Sequence, residues 1–162
     1  HYPYWQQILG VAEFPFGSFG ENFTTEGLLE TEVCLGDIFE TGEALVQVSQ
    51  PRQPCWKLAR RWRRKDLALL VQESGRTGWY FRVIKEGTVQ AGSRLILVER
   101  PCPEWTVASA NDVMHRWTDD MQAAQSLAVC PALAVRWRET LTKRVETKTV
   151  GSTTARLYGP NL

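Results

Sequence analysis

The first fifty residues contain no lysine or arginine, yet they carry eight acidic side chains. The rest of the chain holds all 19 basic residues and the other ten acidic ones, so a net charge of only +1 hides two halves of opposite sign. That asymmetry implies either halves that pack against each other or a basic face for an anionic ligand. Histidine is scarce, with two in 162 residues, and Cys34, Cys55, Cys102 and Cys130 form no C-x-x-C pair. These spacings argue against the usual zinc frameworks and iron–sulfur runs. No apolar run approaches the roughly 18 residues of a membrane-spanning helix. The opening His1-Tyr2-Pro3-Tyr4-Trp5 has no basic region followed by an apolar one, so it does not read as a secretory signal. It also has no initiator Met, and the true N-terminus is expected to lie upstream. Without a secretion signal, reduced thiols and a cytoplasmic protein are expected.

Hydrophobic residues make up 43% of the chain and charged ones 23%, which excludes a disordered polymer. A chain of this length buries well over half of its unfolded surface and needs no disulfide or metal staple. Phe14-Pro15-Phe16-Gly17-Ser18-Phe19-Gly20 reads as a loop with aromatic anchors. Strands are expected at Thr31–Leu35, Ala44–Ser49, Trp79–Ile84 and Arg94–Val98, from alternating or β-branched residues. Pro51 and Pro54 break regular pairing and form a turn before Cys55. Leu67, Leu70 and Val71 mark a helix over Lys65–Ser74, stopped by Gly75.

The pattern changes at Pro101-Cys102-Pro103. Thr106 is placed to cap a helix carrying Val107, Ala110, Val113, Met114 and Trp117. Thr118 or Asp119 would cap a second helix, and Pro131 would open a third. The expected fold class is mixed and mainly β: a barrel-like or sandwich domain over 1–102, a three-helix unit over 103–148 and a tail over 149–162. The helical unit is expected to be a separable appendage with a small core of Leu127, Leu133, Trp137 and Leu141.

Cys55 stands just past a strand end, in a rigid turn beside Arg52 and Lys57. Nearby cations favour a thiolate, the form that attacks electrophiles or binds soft metals. Its other reading is a small buried hydrophobe, which is also the expectation for Cys34, Cys102 and Cys130. Asn22 either offers a ligand its donor and acceptor or simply fixes the loop. His1 reads as a hydrogen-bonded side chain, and His115 as a surface residue with no role. Six cations fall within Lys57–Lys65 around Leu58 and Trp62. Leu58 and Trp62, spaced i and i+4, would bury one stripe while the cations stay wet. Nucleic-acid or phosphate binding is the competing reading of that run.

Several of these residues occur together in a recognisable order. Gly20-Glu21-Asn22-Phe23, Gly27-Leu28, Gly36-Asp37 and the run Gln47–Leu58 closely resemble the MOSC domain, the C-terminal module of molybdenum-cofactor sulfurases. Within that superfamily the chain is similar to the YiiM type, linked to hydroxylaminopurine resistance. Ser74–Tyr80, the three C-terminal helices and Arg156-Leu157-Tyr158-Gly159 extend the resemblance over nearly the whole chain. It implies a barrel-like domain that binds a pterin-based molybdenum cofactor, with Cys55 as metal ligand and catalytic residue. Arg52, Asn22, Gln50 and His1 fall on positions of the cofactor pocket. Pyridoxal phosphate binding is an association of the family only. The family's segment before His-Tyr-Pro, with its Gly-Gly-x-Asp element, does not occur here, and the stretch between Pro3 and Tyr4 is several residues short. The basic run is not part of the resemblance.

The implied activity is reduction of small N-hydroxylated compounds, such as hydroxylaminopurines or amidoximes, to amines. Electrons would come from a separate reductase, because no iron–sulfur pattern is present. The alternative is a non-catalytic carrier of cofactor or sulfur. Neither a membrane nor nucleic acid is the expected partner.

Overall fold

In the computed structural model, which describes residues 1–159, the chain runs as α1 (Tyr2–Leu9), β1 (Ile38–Thr41), β2 (Ala44–Pro51), α2 (Trp56–Arg61), α3 (Leu67–Ser74), β3 (Trp79–Lys85), β4 (Ile96–Glu99), α4 (Val107–His115), α5 (Met121–Ala128), α6 (Val135–Thr147) and α7 (Thr154–Tyr158). The last three positions of the tail expected over 149–162 lie outside the described residues.

The four strands form one antiparallel sheet in the order β3-β2-β1-β4. Ala44, Val46 and Val48 of β2 are buried, as the period-two pattern requires. Gly42 and Glu43 join β1 to β2 in a two-residue turn, with Phe39 opposite Val46 and Thr41 opposite Ala44. Gly42 has φ of 56°, and a Cβ there would meet the Thr88 carbonyl oxygen at 2.3 Å, so only glycine fits. The β2–β3 register shifts between Val48 and Gln50, and pairing resumes at Gln50–Tyr80 and Pro51–Trp79. Such an irregularity bends a strand. Here it lies directly before the turn that carries Arg52 and Cys55. Pro51 is therefore the last paired residue of β2.

The mixed fold class holds, but the sheet does not close into a barrel, and helices contribute more residues than strands. Closure would require β3 to pair with β4. Among the described residues both are edges, and Val83, Ile84, Ile96, Leu97 and Val98 remain exposed.

Two apolar clusters hold these elements. The larger joins Val33, Leu35, Phe39, Val46 and Val48 of the sheet region to Val107, Val113, Leu127, Leu133, Trp137 and Leu141 of the helices. The three C-terminal helices therefore share a core with the sheet and do not have one of their own. Buried Arg144 ties α6 to α4 by donating to the carbonyls of Val113 and Met114 at 2.7 and 2.8 Å. The smaller cluster packs Trp5 and Phe14 on Leu58, Leu67 and Val71, which fixes α1 against α2 and α3.

Several local expectations shift. Thr31–Leu35 is a turn with a single bridge, Cys34 to Thr106, because Asp37 accepts from the Cys34 amide at 2.9 Å and folds the segment back. Thr106 caps α4 as expected, accepting from the Ser109 amide at 3.0 Å. The α5 cap is Asp120, and α6 begins at Val135, after a turn in which the Ala134 amide donates to the Ser49 carbonyl. Trp117 lies beyond the end of α4 and is half exposed. His115 is not a surface residue: its Nε2 is buried without a hydrogen-bond partner, and its ring stands edge-on to Trp137. None of the four cysteines forms a disulfide, and Cys34, Cys102 and Cys130 are buried as expected. No described helix is long and apolar enough to cross a membrane.

Candidate functional site

The bulged end of β2 and the start of β3 form one wall of a cleft of about 980 Å³. Trp79 and Phe81 line that wall, and the loop from Phe16 to Leu28 forms the opposite side. His1 and Tyr2 close one end, while Arg52 and Arg76 also line the space. Sequence neighbours do not make this site. It joins segments that lie far apart along the chain.

The loop side is organised by Glu21. Its carboxylate accepts from the Tyr2 hydroxyl and from the amides of Gly17 and Phe19, at 3.1 and 2.8 Å for the amides. Burial alone would raise the Glu21 carboxyl, but the hydrogen bonds from Tyr2 and Phe19 outweigh it and hold the group below its ordinary range. Burial and the bond to Glu21 push the Tyr2 hydroxyl upward. Glu21 is therefore a fixed anion that shapes the loop. Arg52 braces the same loop, with Nη2 donating to the Phe19 carbonyl at 2.6 Å. Its own amide donates to Gly78 across the β2–β3 end. Arg52 thus pairs with a backbone carbonyl, and part of its fork remains for a ligand.

At the other end, both carboxylate oxygens of buried Glu30 lie 2.9 Å from His1 Nε2. The Gly78 amide also donates to Glu30, at 2.7 Å. Burial raises the Glu30 carboxyl, and the Gly78 amide and the Arg76 guanidinium offset only part of that rise. The imidazole at the cleft is thus oriented from behind by a carboxylate that holds a proton more readily than an ordinary Glu. Arg76 lies over the Tyr4 ring at 4.1 Å, which positions a second guanidinium at the cleft.

The other expected residues divide. Asn22 lines the cleft and is exposed to it. Gln50 does not line it, and its amide donates to the Pro51 carbonyl. Cys55 is the N-cap of α2, half-buried, and lies outside the lining of the cleft. Arg52 and Cys55 are the two ends of one four-residue turn, with only Arg52 reaching the cavity.

Three residues had no site role assigned from the sequence, although Arg76 and Arg156 lie in matched motifs. Glu30 and Arg76 gave no local signal, because their partners lie 29 residues or more away in the chain. Arg156 of α7 donates to the Pro54 carbonyl at 2.5 Å and to Gln72 Oε1 at 2.6 Å, so a cation lies against the turn that presents Cys55. Burial lowers the Arg156 guanidinium from its ordinary value, and Cys55 acts in the opposite direction. A signal was present: Arg156 is the one charged side chain between Lys148 and the last residue.

Comparison with known proteins matches residues 1–96 to the MOSC domain and residues 105–148 to the YiiM-like, 3-alpha helix domain. Protein YiiM of Escherichia coli (strain K12) is 40% identical over 161 residues, covering 98% of this chain and 71% of its own. YflK of Bacillus subtilis (strain 168) is 42% identical over 144 residues, and the match covers 89% of this chain but 65% of YflK. A protein of Gibberella moniliformis named Reductase is 37% identical over 123 residues, which is 71% of this chain and 21% of that protein. The crystal structure of YiiM from Geobacillus stearothermophilus superposes with a TM-score of 0.86 at 46% identity, covering 90% of this chain and 74% of that one. That of Escherichia coli YiiM gives 0.93 at 38% identity, covering 98% and 80%. With a cleft built on the motif residues and a helical unit matched separately, the chain belongs to the MOSC domain family, in its YiiM-like branch.

Proposed function

We propose that this chain binds a pterin-based molybdenum cofactor and reduces small N-hydroxylated compounds to amines. The observation that carries the reading is the cleft itself, in which Arg52 and Arg76 face a space walled by Trp79 and Phe81. Guanidiniums recognise phosphate through charge-assisted, forked hydrogen bonds, and aromatic walls suit a flat ring system. These features fit a phosphate-bearing pterin. Among the described residues no three His, Cys, Asp or Glu side chains are grouped to hold a metal. A molybdenum atom would therefore take most of its ligands from the bound organic group; the Cys55 thiol, which lies outside the cleft lining in this structure, would add a thiolate once the turn after Arg52 brought it to the cofactor.

When bound, the cofactor supplies a two-electron centre that accepts an oxygen atom. The overall change is R–NH–OH plus two electrons and two protons giving R–NH2 and water, with the N–O bond broken. The chain's own residues bind, orient and hold protons. Arg52 anchors the phosphate and keeps the Phe16–Leu28 loop in place through Phe19. His1, backed by Glu30, holds a proton at the cleft for the departing oxygen. Arg156 fixes the turn that presents Cys55. Electrons arrive from a separate protein.

The relative named Reductase supports a reductive activity in this family. The test is turnover of benzamidoxime or 6-hydroxylaminopurine with dithionite-reduced methyl viologen as donor. Amine formation that requires the donor supports the reading. A protein loaded with cofactor that forms no amine is a carrier, and the enzymatic reading then fails.

A further inference from the structure

Lys57, Arg60 and Arg61 occupy positions i, i+3 and i+4, so they leave α2 on one face, and all three are exposed. Arg63 and Lys65, also exposed, extend the patch past the helix end, where Arg63 takes φ of 50°. The opposite stripe, Leu58 and Trp62, packs into the cluster with Trp5 and Phe14. Arg64, the sixth cation of the run, is occupied by Asp66 and by the Ile8 carbonyl at the end of α1. Among the described residues none of the five exposed cations lies within ion-pair distance of a carboxylate. The acidic first third does not neutralise them: Asp37 pairs with Arg100, Glu30 with His1, and Glu21 serves its own loop. Like charges crowded on one short helix repel one another, and an anionic partner would relieve that repulsion.

We propose that this face docks an acidic electron-donor protein, an inference that rests on the reductase reading above. The patch begins two residues after Cys55, and α2 starts at that thiol. A donor seated on Lys57, Arg60 and Arg61 is therefore held beside the turn that bears the proposed metal ligand. Charge complementarity speeds encounter without demanding tight binding, which suits a partner that must leave after each delivery. Nucleic acid is the rival anion, and the aromatic residues disfavour it. Sequence-tolerant binding of single strands relies on free aromatic faces. Trp62 donates its Nε1 to the Ser18 carbonyl at 3.0 Å and meets Phe14 edge-on. Trp56 carries the Arg60 guanidinium at 4.1 Å and lies against Gly159, where a Cβ would approach its ring to 3.3 Å. Neither ring is free to stack a base.

The test compares the natural chain with the triple variant Arg61→Glu, Arg63→Glu, Lys65→Glu, which leaves Arg60 on Trp56 and Lys57 beside Cys55 and touches nothing in the cleft. Binding of an acidic flavodoxin and of a single-stranded oligothymidine is measured by fluorescence anisotropy at low salt and again near ~0.3 M, where screening is strong. Flavodoxin should bind the natural chain at low salt, and its affinity should fall about tenfold or more in high salt and in the variant. Failure of flavodoxin to bind, equal binding by both proteins, or tighter binding of the oligonucleotide that the variant loses, each overturns the proposal. Viologen-driven turnover, which needs no docked protein, is measured in parallel. Absent turnover in both proteins sinks the reductase reading, while the binding comparison still judges the surface. Matching melting temperatures establish that the variant is folded.

Discussion

Acid should unfold this protein partly through His115, a residue outside the lining of the cleft. Burial and the Arg156 and Arg144 guanidiniums hold its pKa down at about 4, against 6.5 for an exposed histidine. The native state therefore keeps the imidazole neutral at a pH where the unfolded chain protonates it. The unfolded state then binds the extra proton, so stability falls as pH falls from about 6.5 toward 4, and the contribution is fully present above that window. The slope reaches about 1.4 kcal/mol per pH unit, and the whole window amounts to roughly 2–3 kcal/mol once partial solvation is allowed for. Against a typical domain stability of about 5–15 kcal/mol, that is a visible fraction. His115→Phe keeps a ring edge-on to Trp137 and removes both the titration and the unpartnered Nε2. Urea unfolding of both proteins at several pH values between 7.5 and 4.5 separates this effect from the carboxylates they share. The natural protein should lose about 2 kcal/mol more than the variant over that range. Parallel loss in the two proteins would refute the burial argument for His115.

Other perturbations follow from the same contacts. Arg156→Ala leaves the Pro54 carbonyl and Gln72 Oε1 without their donor, which should cost about 2 kcal/mol and lower the melting temperature by roughly 4–8 °C; an unchanged melting curve would show that the α7 contact is dispensable. Cys55 is half-buried while the other three thiols are buried, and burial with its neighbour Cys130 pushes Cys102 up to about 12. Iodoacetamide at pH 8 should therefore label one cysteine per chain, read by mass spectrometry, and Cys55→Ser should remove that label; multiple rapid additions would contradict the packing. Truncation after Pro103 should abolish the β-type circular dichroism, because Val33, Leu35, Phe39 and Val48 lose the helices they pack against. A truncated chain that keeps a strand spectrum would show that the sheet stands without them.

The strands β2 and β3 were legible because their signal is local: alternating Ala44, Val46 and Val48, and the aromatic, β-branched run from Trp79. The start of α4 was legible for the same reason, since Thr106 caps its own helix. What escaped the sequence depends on distant partners. Helix α1 exists because Trp5 finds Phe14 and Leu67, and α7 because Arg156 and Leu157 dock near the Cys55 turn. His115 was misplaced because α4 has buried neighbours on more sides than a simple amphipathic helix. In the site, Arg52, Asn22 and His1 were legible through motif resemblance, and they do line one cleft. Gln50 and Cys55 share their stretch of sequence but lie outside its lining, because the bulge after Val48 and the extended backbone at Cys55 redirect successive side chains. Glu30 became visible only through His1 and Gly78, which approach it from opposite ends of the chain's first half.

In the proposed function Arg52 anchors a molybdenum cofactor in the cleft, and Cys55, at the other end of the same turn, is the candidate metal ligand. Molybdenum per chain, measured by elemental analysis after production in a host that makes the cofactor, addresses that reading most directly. The natural chain should carry close to one molybdenum. Arg52→Ala should lose most of it, because one charge-assisted contact is worth about 1.5–3 kcal/mol, or roughly ten- to a hundredfold in affinity. Cys55→Ala should lose the metal or hold it without turnover. Absence of molybdenum from the natural chain, or equal loading in the natural chain and Arg52→Ala, would contradict the account.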